Sequence, residues 1–147
     1  MINTRQAELN DLNQLIRLFD QYRAFYQQKS DLALAEKFIT KRFKKAESSM
    51  FIAETTQGKI LGFCQLFPSF SSVSAKRTWI LNDLYVLPEK QNSGIGTQLL
   101  NHAKEHAIHT SAKGIFLQTA ATNTGAQKLY QSLGYKQEGY LGYFLTL

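Results

Sequence analysis

Leu9, Leu12, Leu15, Ile16 and Phe19 recur at helical spacing and predict a helix over Glu8–Tyr26, after a short strand at Ile2–Gln6. Ser30 and Asp31 are good cap residues for a second helix running to about Ala46. Its Ala35, Phe38, Ile39, Phe43 and Ala46 share one face, with Lys37, Lys41, Lys44 and Lys45 mostly on the other. The period then shortens. Met50–Glu54 and Ile60–Phe67 are β-rich runs around a turn at Gln57-Gly58, a hairpin signal. Pro68–Ser74 reads as a polar loop, and Thr78–Leu87 as a longer strand closed by Pro88. Gly94–Thr110 is helical, with an apolar stripe of Ile95, Leu99, Leu100, Ala103 and Ala107. A strand at Ile115–Thr119, a helix at Thr124–Leu133 and a last strand at Leu141–Leu147 complete the pattern. Strands and helices in this order predict an α/β sandwich with a mixed sheet.

Length and composition narrow the class. The 147 residues, 44% hydrophobic and 12% aromatic, suit one compact domain over 1–147 and exclude a disordered chain. The lone Cys64 cannot form an internal disulfide; it reads as a packed thiol in a reducing compartment. The first residues lack the apolar core of a secretory signal, and no apolar run approaches membrane-spanning length. The expectation is a soluble, cytoplasmic protein. A net charge of +6 favours an anionic partner without naming it.

The chemistry concentrates in Leu84-Tyr85-Val86-Leu87-Pro88-Glu89-Lys90-Gln91-Asn92-Ser93-Gly94-Ile95-Gly96-Thr97, where a strand ends, a polar loop with two glycines follows and a helix begins. Unpaired N–H groups and the positive end of the helix dipole at such a junction suit a pyrophosphate. The loop is neither a P-loop nor a dinucleotide fingerprint. Only one residue separates its glycines and no lysine precedes Thr97, while Leu99 stands where a third glycine is needed. A second segment, Asn123-Thr124-Gly125-Ala126-Gln127-Lys128-Leu129-Tyr130 followed by Gly134-Tyr135, has Asn123 as an N-cap and Gly134 as a helix stop. Tyr130 lies nearly two turns past Asn123, on about the same face.

Gln91-x-x-Gly94-x-Gly96 after the Asn82–Val86 strand resembles the acetyl-CoA loop of the GNAT acetyltransferase superfamily, and the Asn123–Tyr135 segment resembles that family's later motif. The resemblance implies a three-layer sandwich whose mixed central sheet has two splayed parallel strands, flanked by helices. It implies acetyl-CoA as co-substrate and no metal. By motif position, the backbone of Leu84, Tyr85 and Val86 would hold the pantetheine arm. Gln91, Asn92, Ser93, Gly94, Ile95, Gly96 and Thr97 would hold the pyrophosphate, Asn123 would contact the pantetheine or the acceptor, and Tyr130 would be the general acid. A phenol with pKa of about 10 can protonate a leaving thiolate while staying neutral at pH 7.

The attacking amine must be neutral, and a lysine-like amine at pH 7 is so in only about one molecule in 2,500. A base or a desolvating pocket must offset this. Polyamine-acetylating relatives carry an acid at what is Asn82 here; the carboxylate in this chain is one place later, Asp83, which strand alternation turns to the opposite side. Asp83 is the candidate base, with a salt-bridged strand-end carboxylate as its plainer explanation and Glu54 on a neighbouring strand as a substitute. Tyr22 and Tyr26 keep polar tips that could line an acceptor pocket for a small-molecule or peptide amine. Relatives commonly pair through their last strands, which implies a homodimer involving Leu141–Leu147.

Two other classes were weighed. His102, Glu105 and His106 match an inverted zinc-hydrolase pattern, but they read better as solvated side chains on a helix. Lys41, Arg42, Lys44 and Lys45 could meet a phosphate backbone, yet no nucleic-acid motif accompanies them. Neither nucleic acid nor membrane is expected as a partner.

Overall fold

A computed structural model describes residues 1–147. Strand β1 (Ile2–Gln6) leads through a 3-10 turn at Leu9–Asp11 into helix α1 (Leu12–Phe25) and then α2 (Leu32–Lys44). Strands β2 (Ser49–Thr55), β3 (Ile60–Ser71) and β4 (Lys76–Val86) follow, then α3 (Ile95–His109), β5 (Ile115–Phe116) and α4 (Thr124–Ser132). The five strands lie side by side in sequence order, antiparallel except for the parallel pair β4–β5.

Alternation along the strands builds two cores. Met50, Ile52, Ile60, Phe63 and Tyr85 face Leu15, Leu18, Phe19, Ala35 and Ile39 of α1 and α2. On the other face Phe51, Ala53, Leu61, Cys64, Leu66 and Leu81 meet the stripe of α3, and Leu129, Tyr130 and Leu133 bring α4 to the same side. The result is helices, sheet, helices: three layers. One arginine closes the outer corner. Arg5 holds Asp11 at 2.7 and 2.9 Å and Glu54 at 2.8 and 3.0 Å, joining β1, β2 and the start of α1. No helix is long and apolar enough to cross a membrane.

Three segments depart from the pattern reading. The supposed loop at Pro68 is strand, because β3 continues to Ser71 against β4. Proline fits there because the Trp79 N–H turns away from β3, donating to Gly114 O at 3.1 Å, so its pair with Pro68 is not hydrogen-bonded. The proline nitrogen faces the opposite edge, where β2 has already ended at Ser49 opposite Leu66. The strand expected to Thr119 ends at Phe116. The last strand expected at Leu141–Leu147 is absent; that segment leaves Leu141, Tyr143, Phe144, Leu145 and Leu147 exposed.

Gly62 lies where β3 crosses closest to the end of β4; a Cβ there would sit 2.8 Å from the Tyr85 carbonyl oxygen. A backbone atom cannot swing aside as a side chain does. Gly62→Ala is therefore expected to destabilise the fold by about 1–3 kcal/mol, read by urea unfolding, and an unchanged midpoint would refute the close approach.

Candidate acyl-transfer site

The site begins with one extra residue. Gln65 pairs with Asp83 but the next residue, Leu66, pairs with Leu81, so Asn82 is a bulge. Uninterrupted alternation from Leu81 would bury Asp83 in the α3 core. The bulge instead puts it on the same face as Tyr85, against α1. Asp83 is 2% exposed. Gln65 Nε2 donates to its Oδ2, and Asn82 Nδ2 donates to its Oδ1 at 2.9 Å. Ser48 Oγ donates to Gln65 Oε1 at 2.7 Å, which fixes the amide so that its nitrogen faces Asp83. Burial raises the Asp83 pKa and these donors only partly oppose it. Asp83 is thus a buried carboxyl rather than a strand-end ion pair.

Tyrosines surround that carboxyl. The Tyr22 hydroxyl donates to Asn82 O at 3.3 Å, and Asp83 is near enough for its charge to act on the phenol. Burial, then the Asp83 charge, pushes the Tyr22 phenol far above its ordinary range. The Tyr22 ring meets those of Tyr26, Phe63 and Tyr85 at 5.1, 6.0 and 6.1 Å. Tyr130 on α4 is close enough to Tyr26 for the two to raise its pKa further, burial being the larger cause. Its ring is 5.8 Å from that of Tyr135, whose phenol burial pushes up to about 12. The phenols of Tyr22, Tyr130 and Tyr135 stay protonated at neutral pH.

Beside this cluster β4 loses its second neighbour. Pairing with β5 covers only Trp79 with Ile115 and Ile80 with Phe116. Leu87 N–H turns inward to Leu61 O at 2.9 Å, so by alternation the peptide groups of Leu84 and Val86 point to the open edge. Gln91 Nε2 donates to Val86 O there at 3.2 Å. Past this strand end, none of the N–H groups from Asn92 through Thr97 donates to a backbone carbonyl. Asn92 at φ 61° and Gly94 at φ 85° curl them into one concavity at the start of α3. Ser93 Oγ ties the curl to Lys90 O. A bound diphosphate fits this donor set, since its oxygens accept only.

The structure therefore brings together Asp83, Tyr22, Tyr26, Tyr130, the open β4 edge and the 91–97 loop. Asn123 caps α4, accepting from Ala126 N at 3.2 Å. Glu54 is not part of the cluster, being clamped by Arg5 at the far side of the sheet. His102 and His106 are not solvated as expected: their rings pack 4.7 and 5.1 Å from Phe51, and His106 also 4.8 Å from Trp79. Burial lowers the His106 pKa, and no group of three or more His, Cys, Asp or Glu is arranged to hold a metal ion with them. Arg42 lies over the Phe38 ring at 4.6 Å and pairs with Glu47 at 3.6 Å, apart from the lysines around it. Cys64 is fully buried, its thiol pushed up to about 12 by desolvation. Sequence reasoning missed Gln65 and Ser48, because the bulge that aligns them with Asp83 leaves no mark in the hydrophobic pattern.

Comparison with known proteins gives the same class. The model of the Acetyltransferase (GNAT) family matches residues 12–135. The chain is 45% identical to the uncharacterized N-acetyltransferase YhfO of Bacillus subtilis (strain 168), over 99% of its own length and 98% of the relative's. A probable acetyltransferase of Haemophilus influenzae is 31% identical over 89% and 88%. The crystal structure of a probable acetyltransferase superposes with TM-score 0.94 at 40% identity, covering 99% of this chain and 97% of that one. This chain belongs to the GNAT family of N-acetyltransferases, which use acetyl-CoA as co-substrate.

Because the folded pKa of Asp83 is raised, the folded chain holds that proton more tightly than the unfolded chain. Stability is then lost as pH rises from about 4, the ordinary carboxylate value, through the raised one. Asp83→Asn removes the titration, so its melting temperature should gain on the parent's as pH rises above about 4. A difference that stays constant across that range would show an ordinary Asp83.

Proposed function

We propose that the chain, as one N-acetyltransferase domain over 1–147, passes the acetyl group of acetyl-CoA to the primary amine of a small molecule or peptide by direct attack in a ternary complex. The observation that carries this reading is the adjacency of the open β4 edge, the unpaired amides of Asn92–Thr97 and the phenol cluster around Asp83.

Acetyl-CoA supplies an acetyl group activated as a thioester. The amides of Asn92, Ser93, Gly94, Ile95, Gly96 and Thr97, helped by the Gln91 and Thr97 side chains, hold the diphosphate; the Gln91 amide is taken by Pro88 O at 3.3 Å. Leu84 and Val86 offer backbone groups to the pantetheine, whereas the Tyr85 peptide groups expected to join them face β3, and Asn123 borders the arm. The Val86 N–H holds the carbonyl oxygen as it gains charge. Tyr22 and Tyr26 line the acceptor side. Asp83, too buried to touch an amine, acts through Tyr22: the hydroxyl takes the ammonium's proton as it passes its own to the carboxylate. A raised pKa makes Asp83 a better base than a solvent-exposed carboxylate. Tyr130 Oη gives its proton to the sulfur as the C–S bond breaks and the N–C bond forms. A lone buried thiol suits a cytoplasmic setting.

The exposed apolar tail supports pairing with a second copy. Light scattering should then give a dimer mass, with Phe144→Ser/Leu145→Ser shifting it to a monomer; a monomeric parent refutes the pairing.

Tyr130→Phe should lower kcat about 100-fold or more with coenzyme A binding by calorimetry nearly intact; an unchanged rate removes Tyr130 from the reaction. Gly94→Val should abolish that binding. A Cβ at Gly94 meets nothing within 4 Å, so this variant tests the left-handed backbone rather than a clash, and retained binding removes the loop from the site.

A further inference from the structure

Rings run without a break from the surface to the buried carboxyl. Phe25, 61% exposed, lies edge-on to Tyr26 at 5.2 Å; Tyr26, 56% exposed, meets Tyr22 at 5.1 Å; Tyr22 borders Asp83. These two exposed rings close the C-terminal turn of α1 beside the site, where the helix no longer needs them for its core. Apolar surface that leads from solvent toward the reacting groups favours an acceptor with an apolar body.

Two carboxylates between α1 and α2 are already engaged. Asp20 is taken by Ser30 Oγ at 2.6 Å and Asp31 N at 2.7 Å. Asp31 caps α2, accepting from Leu34 N at 3.0 Å. Arg23 and Lys29 lie in the same turn, on a chain of net charge +6. Asp83 faces the rings from β4, and phenol faces around it can hold a single ammonium.

We propose that the acceptor is a small free amine bearing one aromatic ring, its ring seated on Phe25 and Tyr26 and its ammonium turned inward to Tyr22 and Asp83. The proposal rests on the acyl-transfer reading. Phe25 and Tyr26 are then specificity-determining residues. A polyamine or aminoglycoside would lay further positive charges on an apolar platform of a chain of net charge +6, and a peptide would carry its chain past the two rings.

The full-length protein is assayed for thiol release from acetyl-CoA with 2-phenylethylamine, n-butylamine, spermidine, kanamycin and a Phe-headed tripeptide. 2-Phenylethylamine should have the highest kcat/KM, about tenfold or more above n-butylamine. Phe25→Ser should raise its KM about tenfold while kcat and the KM for acetyl-CoA hold, and calorimetry should show weakened binding of 2-phenylethylamine itself. Preference for spermidine, kanamycin or the tripeptide overturns the proposal, as does an unmoved KM in a folded Phe25→Ser. Failure of the underlying reading looks different: no amine releases thiol and calorimetry shows no coenzyme binding. Coenzyme binding without 2-phenylethylamine binding overturns only the inference about the acceptor.

Discussion

The extra residue at Asn82 is the constraint on which the site depends. In a sheet with unbroken register, β4 would present Leu81 and Asp83 to one face, and a carboxyl would enter the apolar core under α3. The bulge resets the alternation after Leu81. Asp83 thereby reaches Tyr22, and Leu84 and Val86 turn their peptide groups to the edge that β5 has left. One inserted residue thus sets both the buried carboxyl beside α1 and the open backbone edge.

A carboxyl at 2% exposure is unfavourable unless its oxygens are occupied. Gln65 and Asn82 donate to it, and Ser48 holds Gln65 in the donating orientation. These bonds favour the ionised form but do not cancel desolvation, so the pKa stays raised. An exposed aspartate would be stable and too weakly basic for an ammonium; a fully apolar pocket would keep it protonated. The partial satisfaction seen here leaves it between the two, at the expense of stability at high pH.

The parts that were legible in sequence are those written in local chemistry. The 91–97 loop could be read because glycines and a helix start mark it; Asn123 because capping asparagines are distinctive; the α3 stripe because its period is regular. What escaped was decided between strands. The bulge, the Gln65–Asp83 pairing and the continuation of β3 through Pro68 all depend on which residue lies opposite which. His102 and His106 escaped for a related reason. Flanking the stripe, they look solvated on a helical wheel, but Phe51 and Trp79 rise from the sheet to cover them. Leu141–Leu147 has the apolar pattern of a strand without a partner strand inside the chain. Its pattern is real, and its pairing must come from outside the protomer if it comes at all.

The two faces of β4 divide the labour between backbone and side chains. Toward its open edge the strand offers only N–H and C=O groups, which suit an invariant coenzyme and leave little for mutation to change. Toward α1 it offers Asp83 and Tyr85 under a layer of rings whose outermost members, Phe25 and Tyr26, make no core contact that the fold needs. Substitutions there would alter what enters the site without altering the sheet, the bulge or the loop. Under the proposed function, acceptor preference lies in a surface that can change freely and transfer chemistry in a register that cannot.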